Sequence, residues 1–546
     1  MAIIAFDVKE LQAANAGKRE LVDVMTDMGI EVEEATKQEI RVNVDPNRPD
    51  LLDFTGMRRA ISNFTGKERP HDGRYRISNT PAMTIAVQAP VKRIRPYIAG
   101  IVVKNADLTG ERLKYLINFT EKFSDTYGRR RRKLAIGIHN LAAIDGSITY
   151  TAAESGSITP LGSGKPLGFD KLMKENAKGI TYQDAVPTFG RGYLYPLLKD
   201  SSKTIALIPV TNCEETKVTE STKKLFIDIT STSEIALGNA AAVIACSFID
   251  SGAEVYPVEI AYGKVKRATP ALEYREMKLS MSKADKTLGV TTGRHNIISL
   301  ANRMGHTAAK YGSSVLFYVP PYRIDVLNEQ DIIEDIAIAY GYNNIAPIAI
   351  SGVASGMSNG SVDSDNRIAL TMVGLGYTEA INSVLTSEEV SFAKTGRKPL
   401  KQSYVSISDS KTSSITMLRQ SLLPGLLQNI AASAKATMPQ RLFEVGKTFS
   451  VIAGKPLERN QVAAVSVHPK ANFAEIKSVV DALLKHLSAD YKIEKHDDPA
   501  FMHGRCARAV SKGRQVALFG EVHPEVISNF RIEEPVVAAE VSINDL

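Results

Sequence analysis

The run PPYRIDVLNEQDIIEDIAIAYGY, residues 320–342, sets four carboxylates, Asp325, Asp331, Glu334 and Asp335, into a basic chain. With Asn328 as cap, Asp331, Glu334 and Asp335 fall at i, i+3 and i+4 and share one helical face. Ile332, Ile333, Ile336 and Tyr340 share the other. The spacing predicts an amphipathic helix entered from a strand end that carries Asp325, the signature of an α+β unit. Two readings of the acids stand. A hard divalent cation, Mg2+ or Ca2+, takes such oxygen ligands. Alternatively, acids favour a helix N-terminus and Arg323 is a ready local counter-ion. No EF-hand spacing is present.

Around this stretch, residues 271–350 read as one domain, with a helix near 292–304 and a strand at 315–319. The Gly/Ser-rich run at 351–365 has the composition of a linker. Residues 360–546 alternate helices and strands, at 368–375, 380–385, 404–407, 418–432, 441–449, 461–467, 474–487 and 515–521. A mixed, largely antiparallel sheet with helices packed on it is the economical fold.

Upstream, residues 1–80 form a small α+β unit. Asp7 caps a helix over 8–15, a second runs over 18–28 to Gly29, and 39–44 alternates as a strand. In DPNRPDLLDFTGMRRAI the prolines 46 and 49 force an extended turn before Asp50 caps a helix bearing Leu51, Phe54, Ile61 and Phe64.

Residues 83–262 make a larger α+β domain. A strand at 98–104 precedes a helix marked by Leu113, Leu116, Ile117 and Phe123, and 135–139 returns as a strand. Between them lie Arg129, Arg130, Arg131, Arg132 and Lys133, beside Tyr127. Such a run either grips a nucleic-acid backbone or forms a solvated turn. GSGKPLG at 162–168 fails as a phosphate loop, because Thr159 and Pro166 stand where glycine and Ser/Thr are needed. Strands at 204–209 and 225–229 and a helix at 236–249 follow. Asn212, Asp228 and Thr230 sit at strand edges, where they either line a pocket or cap turns.

The 546 residues, 44% hydrophobic and 23% charged, suit an ordinary globular protein of about three to five domains. No run of about 18 apolar residues predicts a membrane span, and the opening MAIIAFDVKELQ meets charge too soon for a signal-peptide core. A cytoplasmic address is expected. Cys213, Cys246 and Cys506 are too few and too far apart for a disulfide framework or thiolate zinc site. The net charge of +7 permits polyanion binding without demanding it.

Eight segments in order carry a family resemblance: DPNRPDLLDFTGMRRAI, AIGIHNL from 135, TKVTESTKKLFIDIT over 216–230, YRIDVLNEQDIIEDIAIAYGYNNI from 322, LRQSLLPGLL from 418, RLFEVGKTF from 441, HGRCA from 503 and GEVHPEVI from 520. Over essentially its whole length the chain resembles the beta subunit of phenylalanyl-tRNA synthetase in its archaeal and eukaryotic form. The resemblance implies Mg2+ bound by Asp325, Asp331, Glu334 and Asp335; because no phosphate-binding pattern or base accompanies them in this domain, a structural rather than catalytic role is expected. It implies that residues 83–262 are an editing domain hydrolysing tRNA(Phe) mischarged with tyrosine. It further implies that residues 360–546 are a class II synthetase-like module and an interface for a catalytic alpha subunit in an alpha2-beta2 tetramer. RLFEVG resembles the class II motif 2, but no glycine-rich motif 3 ending in arginine follows. ATP and phenylalanine are therefore expected on the alpha subunit, and this chain alone is not expected to activate phenylalanine. The sequence departs from the family at IALIPVTNC, at Ser231 after FIDIT, and at His139-Asn140 in place of His-Asp. Two rivals stand beside this reading: a non-enzymatic RNA-binding or assembly protein, and a free-standing hydrolase working without a partner.

Overall fold

The computed structural model describes residues 2–17, 19–71, 73–189, 192–349, 352, 355–399, 403–408, 410 and 412–543. Contacts divide the chain into two compact units, residues 1–349 and 350–546.

The first unit holds three larger sheets joined by helices, with two short two-stranded ribbons. Strands Ala2–Asp7, Glu39–Val44 and Glu31–Ala35 form a small antiparallel sheet with Glu39–Val44 central. The opening strand was not expected, because AIIAF shows no apolar alternation; folding buries Ala2, Ile4 and Phe6. The helix expected to start at Asp50 starts later. Residues Pro49–Leu52 form a 3-10 turn, and Asp53 caps the helix Phe54–Phe64 by accepting from the Gly56 amide at 3.1 Å. Gly56 permits this crowding, since a Cβ there would lie 1.9 Å from the Asp50 carbonyl oxygen. The second helix runs only over Leu21–Asp27, and Lys18 lies outside the described residues.

Next comes a ten-stranded sheet. Its strand Met83–Val87 runs parallel to both Glu254–Tyr262 and Ile148–Ala153. Tyr97–Lys104, Lys224–Ser231 and Leu134–Asn140 lie side by side and antiparallel at one end. Helices Glu111–Asp125 and Glu234–Asp250 pack on one face of these three strands. A third, three-stranded sheet combines Arg275–Ser280, Ser314–Val319 and Thr307–Tyr311 with helices Met281–Leu288, Arg294–Arg303 and Glu329–Tyr340. One apolar core runs through Phe6, Val42 and Ile61, then Phe119, Ile227 and Ile244, and reaches Tyr322 and Ile324. That continuity makes residues 1–349 one unit.

In the second unit a seven-stranded sheet runs Thr378–Glu379, Gln440–Ile452, Lys455–Val467, Val536–Ser542, Arg514–Val522, Phe501–Ser511, Lys492–Lys495. Only the first pair is parallel. Helices Gly360–Gly374 and Phe473–His486 cover one face, and Leu423–Ala432 and Pro524–Asn529 cover the other. The linker expected over 351–365 yields to helix from residue 360, where Asn359 caps by accepting from Ser361; its residues 351, 353 and 354 lie outside the described set. Among the described residues no helix is long and apolar enough to cross a membrane.

Candidate functional site

A cavity of about 350 Å³ opens beside the strands Leu134–Asn140 and Lys224–Ser231. Its walls are apolar, from Leu116, Ile136, Leu161, Leu207 and Val218, and Asp228 and Asn212 line it too. Period-two alternation sends Leu225, Ile227 and Ile229 into the core beneath the helices, leaving Phe226, Asp228 and Thr230 on the opposite face. Asp228 stands in the middle of its strand, opposite Gly100 on one neighbour and Gly137 on the other. Glycine is required at 137, because a Cβ there would lie 2.0 Å from Asp228 Oδ2 and 3.1 Å from Asn212 Oδ1.

Sequence reasoning placed Asn212, Asp228 and Thr230 in one lining. Asn212 and Asp228 do line the cavity, and Asn212 donates to the Ile138 carbonyl at 3.1 Å. Thr230 is turned to Arg95 instead. Its hydroxyl and carbonyl oxygens accept from the Arg95 guanidinium, each at 2.9 Å. Burial pushes Arg95 down to about 10 despite Tyr150 and Asp228 nearby. Sequence reasoning named His139 only within a departure from the family pattern and not as a site residue; its ring nitrogens lie 3.1 Å from Asp228 Oδ2 and 2.7 Å from Thr216 Oγ1. Its alternation with Gly137 on the strand AIGIHN was the available signal.

The basic run divides. Arg129, Arg130 and Arg131 have φ of 53, 51 and 63°, a left-handed turn closed by amide bonds to the carbonyls of Thr126, Asp125 and Ser124. Arg129 and Arg130 are exposed, as is Arg132, 3.5 Å from Asp184. Lys133 lies over the Tyr127 ring, and burial lowers its pKa. Arg131 instead folds back onto the cavity rim, donating to the carbonyls of Pro209 and Val210 at 3.1 and 3.2 Å and lying over the Tyr182 ring. Lys178 and Lys217 complete a cationic rim.

The four acids of residues 320–342 do not converge. Asp331 closes its own helix, accepting from the amides of Leu327 and Asn328 at 2.7 and 2.8 Å, while Glu334 is exposed. Asp325 and Asp335 turn onto the guanidinium of Arg323, each at 2.7 Å, and Asp335 also meets His306 at 2.6 Å. Burial is the largest influence on both carboxylates and works against them, but Arg323, joined by Arg48 at Asp325 and by His306 at Asp335, holds each below the usual range. The expected four-carboxylate Mg2+ cage is not assembled: Asp325, Asp331 and Asp335 are engaged by protein groups and Glu334 is exposed, so the set as arranged does not fit the ion. Among the described residues no group of three or more His, Cys, Asp or Glu side chains is arranged to hold a metal. The acids belong to a longer buried chain of charge. Arg48 lies 3.9 Å from Asp325 and 2.9 Å from Asp50, and Arg59 reaches Asp50 at 3.3 Å and Asp250 at 2.5 Å.

The comparisons come from the whole chain and from its parts. Residues 350–543 match the phenylalanyl tRNA synthetase beta chain CLM domain, and residues 277–342 match the tRNA synthetase B5 domain. The chain is 35% identical to the phenylalanine--tRNA ligase beta subunit of Archaeoglobus fulgidus, over 95% of this chain and 93% of the relative. It is 31% identical to that of Methanosphaera stadtmanae over the full length of both. A crystal structure of an N-terminal fragment of the phenylalanyl-tRNA synthetase beta-subunit from Pyrococcus horikoshii superposes with a TM-score of 0.58 at 26% identity, covering 62% of this chain and 99% of the fragment.

Proposed function

The chain belongs to the phenylalanyl-tRNA synthetase beta-subunit family, and from that premise we propose that it clears tRNA(Phe) wrongly esterified with tyrosine while serving an alpha subunit that charges tRNA with phenylalanine. The observation that carries the hydrolytic half is the cavity's polarity. Cations Arg131, Lys178 and Lys217 outnumber Glu121, the partner of Lys178, around an apolar chamber in which buried Asp228 and half-buried Asn212 supply oxygens. The rim suits the phosphates of a tRNA 3′ end, which the exposed Arg129, Arg130 and Arg132 and the half-buried Lys133 can follow outward. The apolar walls suit an aromatic ring, and a polar group inside favours a ring bearing a hydroxyl. Hydrolysis then needs water to attack the ester carbonyl carbon as the bond to the ribose oxygen breaks, releasing tyrosine and a free tRNA hydroxyl.

The synthetic half falls to the partner. Helix Gly360–Gly374 exposes Val362, Leu370 and Val373, with Ile381 nearby in sequence and 89% exposed, an apolar set that supports a covering subunit. Arg441 of the motif 2-like RLFEVG is engaged by Glu475 at 3.4 Å, and both faces of the sheet are packed with helices. These features support a class II-like module without its own adenylation site. ATP and phenylalanine would sit on the alpha subunit, and an alpha2-beta2 tetramer is the assembly proposed.

The test uses the chain coexpressed and purified with an alpha subunit. The wild-type complex is expected to charge tRNA(Phe) and to deacylate Tyr-tRNA(Phe). Asp228→Ala is expected to slow deacylation by about tenfold or more while charging continues. Unchanged deacylation in that variant would remove Asp228 from the site, and a wild-type complex that leaves Tyr-tRNA(Phe) intact would remove the hydrolytic role.

A further inference from the structure

Asp228 is braced by side chains that do not line the cavity. His139, Thr216 and Cys213 are all fully buried, and they form a single line. Cys213 Sγ lies 3.2 Å from Thr216 Oγ1, Thr216 Oγ1 lies 2.7 Å from His139 Nδ1, and His139 Nε2 lies 3.1 Å from Asp228 Oδ2. The protons in this line are ordered by its end. An ionised Asp228 only accepts, so Nε2 carries a hydrogen, and with the ring neutral Nδ1 is bare. Thr216 then donates its hydroxyl hydrogen to Nδ1 at 2.7 Å in preference to the Cys213 carbonyl at 3.4 Å, and its oxygen is left to accept from the Cys213 thiol.

The cavity side of this brace holds acceptors. Asp228 Oδ2 and Asn212 Oδ1 both border the space over Gly137 that a Cβ would fill, and the Asn212 amide nitrogen is turned away to the Ile138 carbonyl. Two converging oxygens repel phosphate and call for a hydrogen-bond donor. The cationic rim takes the phosphates, so the donor must come from the aminoacyl end of the substrate.

Resting on the hydrolytic reading of this cavity, we infer that His139, oriented by Thr216, is the positioning residue that fixes Asp228 as acceptor for a donor on the aminoacyl group, either the phenol hydroxyl or the α-ammonium. A hydrogen bond from a fully buried ring removes the rotational freedom of the carboxylate before substrate arrives. Pre-organisation of this kind raises affinity without adding a contact.

The alpha–beta complex is titrated with two non-hydrolysable probes, 3′-tyrosylamino-3′-deoxyadenosine and its phenylalanyl counterpart, and Tyr-tRNA(Phe) deacylation is followed in parallel. His139→Leu is expected to weaken the tyrosyl probe about tenfold. His139→Gln keeps an N–H within reach of Asp228 and should recover most of that loss, as Thr216→Ser should compared with Thr216→Val. In an Asp228→Ala background His139→Leu should add less than about twofold, because its effect travels through Asp228. A phenylalanyl probe weakened equally assigns the α-ammonium as donor, and one left unchanged assigns the hydroxyl. The inference is overturned if Leu and Gln at 139 behave alike, or if the losses at 139 and 228 multiply. A wild-type complex that binds the probes with the expected pattern yet spares Tyr-tRNA(Phe) sinks the hydrolytic reading alone. One that binds neither probe sinks both.

Discussion

Arg323 shows how one side chain settles a charge question that periodicity leaves open. It is 1% exposed, and it donates to Asp325, Asp335 and the Met304 carbonyl. Burial opposes its charge, but Asp335 and Asp325 hold its pKa well above the ordinary value. Removing the cation would strand two buried carboxylates, so Arg323→Met is expected to cost about 3–5 kcal/mol in urea unfolding. Adding Asp335→Asn to that variant should return part of the loss. Because the acids are neutralised internally, EDTA should leave the melting temperature unchanged; a clear fall on chelation would restore a metal to this helix. Next to it, Tyr322 is buried with the Arg59 guanidinium 3.5 Å from its ring centroid. Burial pushes its hydroxyl up to about 12, outweighing Arg59 and Arg323. The raised value favours the neutral form in the fold. Its contribution is complete below the unfolded value of about 10 and is lost as pH climbs from there toward 12, at up to about 1.4 kcal/mol per pH unit. Tyr322→Phe should keep the ring contact and flatten that part of the alkaline slope in melts taken from pH 9 to 11. The acids and Arg323 were all legible in one stretch of sequence. Arg323 as counter-ion stood there as one of two readings, but periodicity could not choose it over a metal, because a shared helical face does not say which of its members the core will swallow.

Elements with strong apolar spacing came through with small boundary shifts, as in the helix expected around 236–249 and found at Glu234–Asp250. Elements set by crowding did not. The turn Pro49–Leu52 displaced a helix start because Gly56 lets the backbone close on Asp50, a contact between chain segments that propensity does not encode. The left-handed turn of Arg129, Arg130 and Arg131 was equally hidden, since arginine gives no sign of positive φ. It also decides which cations face outward, and so which of the five are available to RNA. Arg130 is exposed with φ 51°, so Arg130→Gly should relieve about 1 kcal/mol of backbone strain and raise the midpoint of denaturant unfolding. If the turn follows a tRNA backbone, the same variant should bind tRNA(Phe) more weakly, with the salt dependence of log K reduced by about one phosphate contact. Opposite signs for stability and RNA affinity would separate a functional strain from a merely tolerated one.

At the scale of the molecule, the carboxylate chain from Asp250 through Arg59, Asp50 and Arg48 to Asp325 joins residues up to about 275 positions apart, so no local pattern reveals it. It follows the same path as the apolar core, which runs without a break from Phe6 to Ile324. Segments that read in sequence as three modules are therefore joined by this cluster, although the far face of the ten-stranded sheet and the three-stranded sheet near residues 275–319 also have apolar clusters of their own, and their stability should be coupled through it. Two expectations follow from residues 1–349 forming a compact unit of their own. Expressed alone, that fragment should fold and unfold in a single transition, monitored by circular dichroism and by tyrosine fluorescence, with both probes giving the same midpoint. It should also bind the tyrosyl probe as tightly as the full chain does in complex, because every residue lining the cavity lies within it. Arg59→Met tests the coupling directly. It leaves Asp250 to Arg74 at 2.7 Å and Asp50 to Arg48 at 2.9 Å, and its cost of about 1.5–3 kcal/mol, that of lost charged hydrogen bonds, should lower the single transition as a whole. Splitting of the melt into separate steps for the N-terminal sheet and the ten-stranded sheet would show that the core couples them less tightly than its packing implies.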